Sequence, residues 1–212
     1  LPTLLDEVHR LIEEKKFRFI LENVKGLLSA NKGKAFPLIL EQLQSAGYDV
    51  SYRVLNAKDF GVPQKRERVI IVGSKKELSL NYDFSFLEIT GKPTPLSKVL
   101  EKKIDPKYFF SEKAVKGMLR SNAQTNGIMN KGRAQNPSQP CNTVTAHLAK
   151  VTLNGTDPVF IENEKYRRFT PREVARIQSF PDSYELIGSD TTKYKALGNA
   201  VPPVMFWHVF QS

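Results

Sequence analysis

The sequence is poor in the residues that build covalent or metal frameworks. It has one cysteine, Cys141, so no disulfide can form within the chain. That cysteine and the three histidines are scattered and offer no metal-ligand spacing, so no metal site is expected. A single thiol fits a reducing compartment. No apolar run approaches the roughly 20 residues of a membrane span, and no secretory leader is visible. Internal repeats are missing, as is a glycine-rich loop of the G-x-G-x-x-G type. The first residue is Leu1 rather than methionine, and the expectation is that the natural start lies upstream.

What is present is an ordinary apolar content of 40% over 212 residues, enough for one large domain or two small ones. The formal charge of +10 points to a polyanionic partner. That charge is uneven. Between Gly91 and Pro171 there are fourteen Lys/Arg against six Asp/Glu, an excess of +8, and the rest of the chain carries only +2. A basic middle between nearly neutral ends reads as an inserted binding module.

At the start, Leu4, Leu5, Val8, Leu11 and Ile12 repeat with helical spacing. Phe17 to Leu21 then reads as a buried strand ending at Glu22-Asn23-Val24, which sets a carboxylate just past a strand end, where α/β sheets place chemistry. A plain loop glutamate is the alternative. A second helix is expected over Lys34 to Ala46, with Phe36, Ile39, Leu40 and Leu43 on one face and Gly47 as its stop. Tyr48, Val50, Tyr52 and Val54 alternate as in a strand. A loop then holds Gly61, Pro63, Gln64, Lys65, Arg66 and Arg68 directly before the β-branched run Val69-Ile70-Ile71-Val72. Guanidiniums anchored there suit phosphate or base edges; a solvated basic turn is the alternative. Helix, strand, helix, strand, strand belongs to an α/β layer fold, with too few strands for a complete doubly wound sheet.

In the basic middle, Ser111 is placed to cap a helix over about Glu112 to Arg120. From Ser121 to Asn142 the chain is rich in Asn, Gln, Gly, Lys and Arg, including Arg133. Asn and Gln can read adenine edges and Arg guanine edges; an idle surface loop is the alternative. Thr143-Val144-Thr145 and Val151 to Leu153 read as β segments. Further on, Thr170, Pro171 and Glu173 compose a capping box, with Phe169 and Val174 as its hydrophobic staple. Arg167, Arg168, Arg172 and Arg176 surround that helix start and could meet phosphate; a purely structural cap that fixes the return from module to core is the alternative, and the cap is stabilising without any ligand. Gly198-Asn199-Ala200-Val201 reads as a turn before a final helix.

Together these pieces resemble the DNA cytosine-5 methyltransferases. Glu22-Asn23-Val24 looks like one block of that family, and Gln64-Lys65-Arg66-Glu67-Arg68 like another. Arg168-Phe169-Thr170-Pro171-Arg172-Glu173 with Phe180-Pro181-Asp182 resembles the block after target recognition, and Gly198-Asn199-Ala200-Val201 the last one. The resemblance implies the C-terminal part of a Rossmann-like α/β sheet, with residues 1–90 and 172–212 as catalytic-domain parts and 91–171 as an inserted target-recognition domain. It implies S-adenosylmethionine as cofactor and double-stranded DNA as substrate. It also implies a bacterial, cytoplasmic, restriction-modification setting, with no membrane.

By the same resemblance, Glu22 engages N3 of a flipped cytosine, Arg68 holds the base near O2, and Gln64 and Arg66 shape the loop. Asn199 and Ala200 border the methionine end of the cofactor. Arg133, Thr143, Thr145, Arg168 and Arg172 are the expected DNA contacts. The family's cofactor glycine block and its Pro-Cys nucleophile block do not occur in this sequence; Pro140-Cys141 mimics the second but sits within the recognition module. The expectation is a partner, either an upstream half of the same protein or a complementary subunit, without which the chain is inactive. A non-catalytic DNA-binding or regulatory relative is the alternative. Retention of Glu22, Gln64, Arg66 and Arg68 favours an enzyme, because DNA binding alone needs no such carboxylate.

Overall fold

The computed structural model describes residues 6, 9–10, 13–14, 17–79, 82–87, 89, 91–124, 133–149 and 157–211, with backbone only for 119–124. The apolar positions of the expected first helix, the strand expected over Val151 to Leu153, and residues 125–132 of the Asn/Gln-rich stretch lie outside them. The chain divides into two compact units. The first comprises Leu1–Asn56, Glu67–Glu88 and His208–Ser212; the second comprises Ala57–Arg66 and Ile89–Trp207. Compactness thus divides the chain differently from charge: residues 172–207 share a unit with the basic module.

In the first unit, β1 (Arg18–Val24), β2 (Tyr48–Asn56) and β4 (Glu67–Lys75) make one sheet in the order β1-β4-β2, with β4 antiparallel to both neighbours. Val69 to Val72 are all buried, as a central strand covered on both faces requires. Helix α1 (Ala35–Ser45) brings Phe36, Ile39 and Leu43 onto Phe19, Leu21, Val69 and Ile71. Each such side chain contributes roughly 1.5–3 kcal/mol on full burial. Gly73 leaves room for the Phe19 ring, since a Cβ there would lie 2.2 Å from its Cζ.

One expectation needs correction here. β1 does not stop before Glu22; pairing with β4 runs through Glu22↔Ile70 to Val24↔Arg68. In β2 the expected alternation holds: Tyr48 and Val50 join the core under α1 and the Tyr52 ring meets Phe36, although Tyr52 stays exposed, and Leu55 is buried on the other face.

The second unit opens on β3 (Gln64–Lys65), which pairs in parallel with β5 (Cys141–Asn142). The strand is therefore Cys141–Asn142, and Thr143-Val144-Thr145, expected as β, follows it in irregular backbone. β6 (Phe160–Glu162) and β7 (Lys165–Arg167) form a hairpin through Asn163 and Glu164, both at positive φ, as a two-residue turn of primed type demands. Helix α2 (Glu112–Gln124) is capped by the Ser111 hydroxyl, which accepts from Ala114 N. α3 (Pro171–Ile177) carries the complete capping box. α4 (Asp190–Asn199) corrects the expected turn at Gly198-Asn199, which is instead the end of a helix that Ser189 caps. Helix α5 (Pro203–Gln211) closes the chain. The core of this unit includes Leu96, Cys141, Val144, Phe169, Val174 and Tyr194.

Candidate functional site

The period of two in a strand decides where Glu22 points. Phe19 and Leu21 face α1, so Glu22 projects from the opposite face of the sheet. Arg68 sits two residues along the neighbouring strand from the partner of Glu22 and shares that face. The two meet, with Arg68 Nε 2.7 Å from Glu22 Oε1. The approach is that of an ion pair, without the alignment of a hydrogen bond. Arg68 is steadied by a second contact, Nη1 donating to the Glu67 carbonyl at 2.7 Å. Both side chains keep some solvent access, 22% for Glu22 and 12% for Arg68. A carboxylate and a guanidinium adjacent and partly open can exchange partners with an incoming polar ring.

In the second unit, Gln64 and Arg66 are buried. Gln64 Oε1 accepts from Val144 N at 2.9 Å, and its amide donates to Gln178 Oε1 at 2.8 Å. Gln178 in turn donates to the Leu197 carbonyl. Arg66 spends its guanidinium on three carbonyls, Val144 at 3.2 Å, Gly198 at 3.3 Å and Ala200 at 3.0 Å. The reading of Arg66 as a phosphate or base-edge contact is therefore corrected: it is buried and donates to backbone carbonyls.

The same unit holds the expected cofactor and DNA residues. Asn199 is exposed at the end of α4, and Ala200 borders a cleft of about 230 Å³ with Phe180, Leu186 and Leu197. Thr143 Oγ1 donates to the Lys65 carbonyl at 2.8 Å, and Thr145 Oγ1 donates to Asp157 Oδ1. Arg133 is not the exposed base reader its sequence context suggests. It is buried, Nε donates to the Asp157 carbonyl at 2.8 Å, and burial lowers its pKa against the opposing pull of Asp157.

Four arginines were expected around the start of α3, and the structure separates them. Arg167 is wholly buried, with Nη1 and Nη2 bidentate on Glu173 at 2.7 and 2.9 Å and Nε on Glu162 at 2.9 Å. Arg176 is committed to Asp182 at 2.7 and 2.9 Å. Both are engaged by carboxylates, and the capping box takes up the Thr170 and Glu173 amides at the start of α3. Arg168 donates to the Ala149 carbonyl at 2.9 Å and lies over the Phe110 ring. Arg172 lines a cavity of about 490 Å³, and its Nη1 has no hydrogen-bond partner among the described residues. That cavity also holds Lys103, Lys107 and Lys193, balanced by Glu101, Asp105, Glu185 and Asp190.

Cys141 has no exposed surface, and burial pushes its thiol pKa far up. A neutral, enclosed thiol is not a nucleophile. Among the described residues no cluster of His, Cys, Asp or Glu could hold a metal ion, and no helix is long and apolar enough to cross a membrane. Sequence reasoning missed Gln178 and Asp157, for which no local signal exists. It also missed the Arg167 cluster, whose clue was Glu173 serving as both cap and counter-ion.

The family model for the C-5 cytosine-specific DNA methylases matches residues 2–212. The chain belongs to that family. It is 39% identical over 206 residues to the type II methyltransferase M.SsoII of Shigella sonnei, an alignment covering 94% of this chain and 53% of that protein. It is 38% identical over 205 residues to M.NlaX of Neisseria lactamica, covering 94% and 63%. The chain thus spans between half and two thirds of the length of these relatives. Among solved structures it is similar to a DNMT2 variant of Spodoptera frugiperda, with TM-score 0.74 and 20% identity over 98% of this chain and 71% of that one. A putative DNA modification methyltransferase from an E. coli prophage gives 0.69 and 18% over 96% and 70%. The mixed α/β fold is that of these methyltransferases.

Proposed function

We propose that this methylase chain is the C-terminal portion of an enzyme that transfers a methyl group from S-adenosylmethionine to C5 of cytosine at a specific sequence in double-stranded DNA. The observation that carries this reading is the ion pair of Glu22 with Arg68 on one sheet face. Cytosine C5 is a poor nucleophile, and addition of a thiolate at C6 builds negative charge on the ring. A carboxyl group sharing a proton at N3 and a cation at O2 stabilise that charge. Transfer of Arg68 from Glu22 to O2 leaves Glu22 free for N3. The base reaches this pair only when flipped out of the duplex.

The nucleophile and the glycine-rich cofactor loop come from an upstream half of the protein or a complementary subunit, since Cys141 is enclosed. S-adenosylmethionine, when bound, supplies the methyl group. Asn199 and Ala200 fit its methionine end, the first offering an exposed amide and the second bordering a mainly apolar cleft. Residues 91–171 serve as the target-recognition domain, with Thr143, Thr145, Arg168 and Arg172 toward DNA. The three strands are part of a larger Rossmann-like sheet; in support, β1 is paired on one side only among the described residues. The setting is bacterial DNA in the cytoplasm, within restriction-modification.

The test is tritium transfer from labelled S-adenosylmethionine to duplex cytosine, by the complete reading frame that holds these 212 residues and by the isolated chain. Activity in the first and none in the second is expected. No transfer by the folded complete protein would refute the assignment, and transfer by the isolated chain would refute the need for a partner.

A further inference from the structure

The polar groups buried behind β3 form one connected lock. Arg66 grips the carbonyl of Val144 with one nitrogen and those of Gly198 and Ala200 with the other. Gln64 holds the amide of Val144, and through Gln178 it reaches the Leu197 carbonyl. The Thr143–Thr145 segment and the Gly198–Ala200 segment are thus tied to one side chain, Arg66, and the Gln64–Gln178 relay joins the first to Leu197 beside the second. They also touch directly. A Cβ on Gly198 would lie 2.2 Å from Ala146 N and from the Thr145 carbonyl carbon, so the two backbones are in contact and only glycine fits.

We infer that Arg66 is a positioning residue that couples the recognition side of the site to the cofactor side, so that a change at one is felt at the other. The inference rests on the reading above, in which Thr143 and Thr145 face DNA and Asn199 and Ala200 face the cofactor. The physical ground is geometric. Three carbonyls converge on one rigid, planar cation, which cannot satisfy all three if any one segment shifts by an ångström. Close-packed elements move between discrete arrangements together rather than bending separately. The complete enzyme would then sense cofactor occupancy in its grip on DNA, and the converse holds by reciprocity.

Nuclear magnetic resonance on the complete protein that holds these 212 residues, without any ligand, tests the coupling. Asn199 is exposed, so Asn199→Ala perturbs the cofactor side without opening the core. Its expected effect is a shift of the Val144 and His147 amide resonances, which disappears in the Arg66→Lys background, where a single ammonium cannot bridge three carbonyls. No shift at Val144 and His147 in the wild-type background overturns the inference, as does a shift that persists undiminished in Arg66→Lys. Should Arg66→Lys fail to fold, hydrogen exchange of the wild-type protein decides. The amides of Val144 and Ala200 should open in one event, with protection equal within about threefold; protection differing by about a hundredfold would overturn the coupling. None of these measurements depends on DNA or cofactor, so a failed methylation assay and a failed coupling are separate results.

Discussion

Arg167→Met removes a fully enclosed guanidinium and leaves its counter-ion behind. Arg167 and Glu173 are both at 0% side-chain exposure, and their two contacts are 2.7 and 2.9 Å. Burial alone would lower the Arg167 pKa, but Glu173 and Glu162 outweigh it and raise the value, so the cation is firmly charged. Breaking one side of such a pair costs about 3–5 kcal/mol, because the remaining charge is uncompensated. Glu173 keeps two amide donors, Thr170 N at 2.9 Å and Glu101 N at 3.0 Å, which places the expectation at the lower end, about 3 kcal/mol. With a urea slope of about 2 kcal/mol/M, the unfolding midpoint falls by about 1.5 M. The assay is urea unfolding followed by circular dichroism, with amide exchange at Val174 to confirm that the second unit is the one affected. Arg167→Met with Glu173→Gln supplies the control. Glutamine still serves a capping box but leaves no buried charge, so the double variant should recover about 1 kcal/mol or more. A loss under about 1 kcal/mol for Arg167→Met, or a double variant no better than the single, would refute the buried-charge argument.

Glu22→Gln in the complete enzyme should slow single-turnover methylation by about 10²-fold or more while gel-shift affinity for DNA changes little; a rate within about threefold of wild type would reduce Glu22 to a strand residue. Cys141→Ala should leave adduct formation with a fluorocytosine-containing duplex intact, and its loss would make Cys141 the nucleophile after all. Exchanging about Gly91 to Thr170 for the segment of a relative should move the methylated sequence without abolishing activity; an unchanged site in a folded, active exchange counts against a recognition role. DNA affinity of the wild-type chain should fall steeply with salt, as the excess cations displace phosphate counterions, and a flat salt response would count against phosphate contact.

The periodic parts of the fold were legible in the sequence. Phe36, Ile39 and Leu43 on α1, the Val69–Val72 run and the Thr170–Glu173 box are local patterns whose physics needs no partner to decide it. The end of β1 was not, because strand length is set by where β4 stops pairing, more than forty residues away. The β6–β7 hairpin was overlooked for want of an Asn-Gly signal; Asn163-Glu164 adopts the primed turn with a poorer second residue. Charge was the least reliable guide. Lys/Arg density marked a basic stretch of sequence, but whether a given arginine faces solvent depends on distant acceptors. Arg66 went to backbone carbonyls and Arg133 to Asp157, partners that spacing does not reveal, while Arg167 went to Glu173, six residues on and already assigned to the cap. The family resemblance set Glu22 and Arg68 at the same flipped base but did not anticipate their ion pair, which the strand register produces.

The enclosed thiol of Cys141 has a use beyond its failure as a nucleophile. It is the only cysteine in the chain and belongs to the core of the second unit. An alkylating reagent can reach it only when that core opens, so the rate of labelling is a clock for local opening that spectroscopy of the whole chain would average away. The same shielding leaves the surface chemically silent toward maleimides. A cysteine introduced at the exposed Tyr184 would therefore carry a dye in the native state with no background substitution to make first.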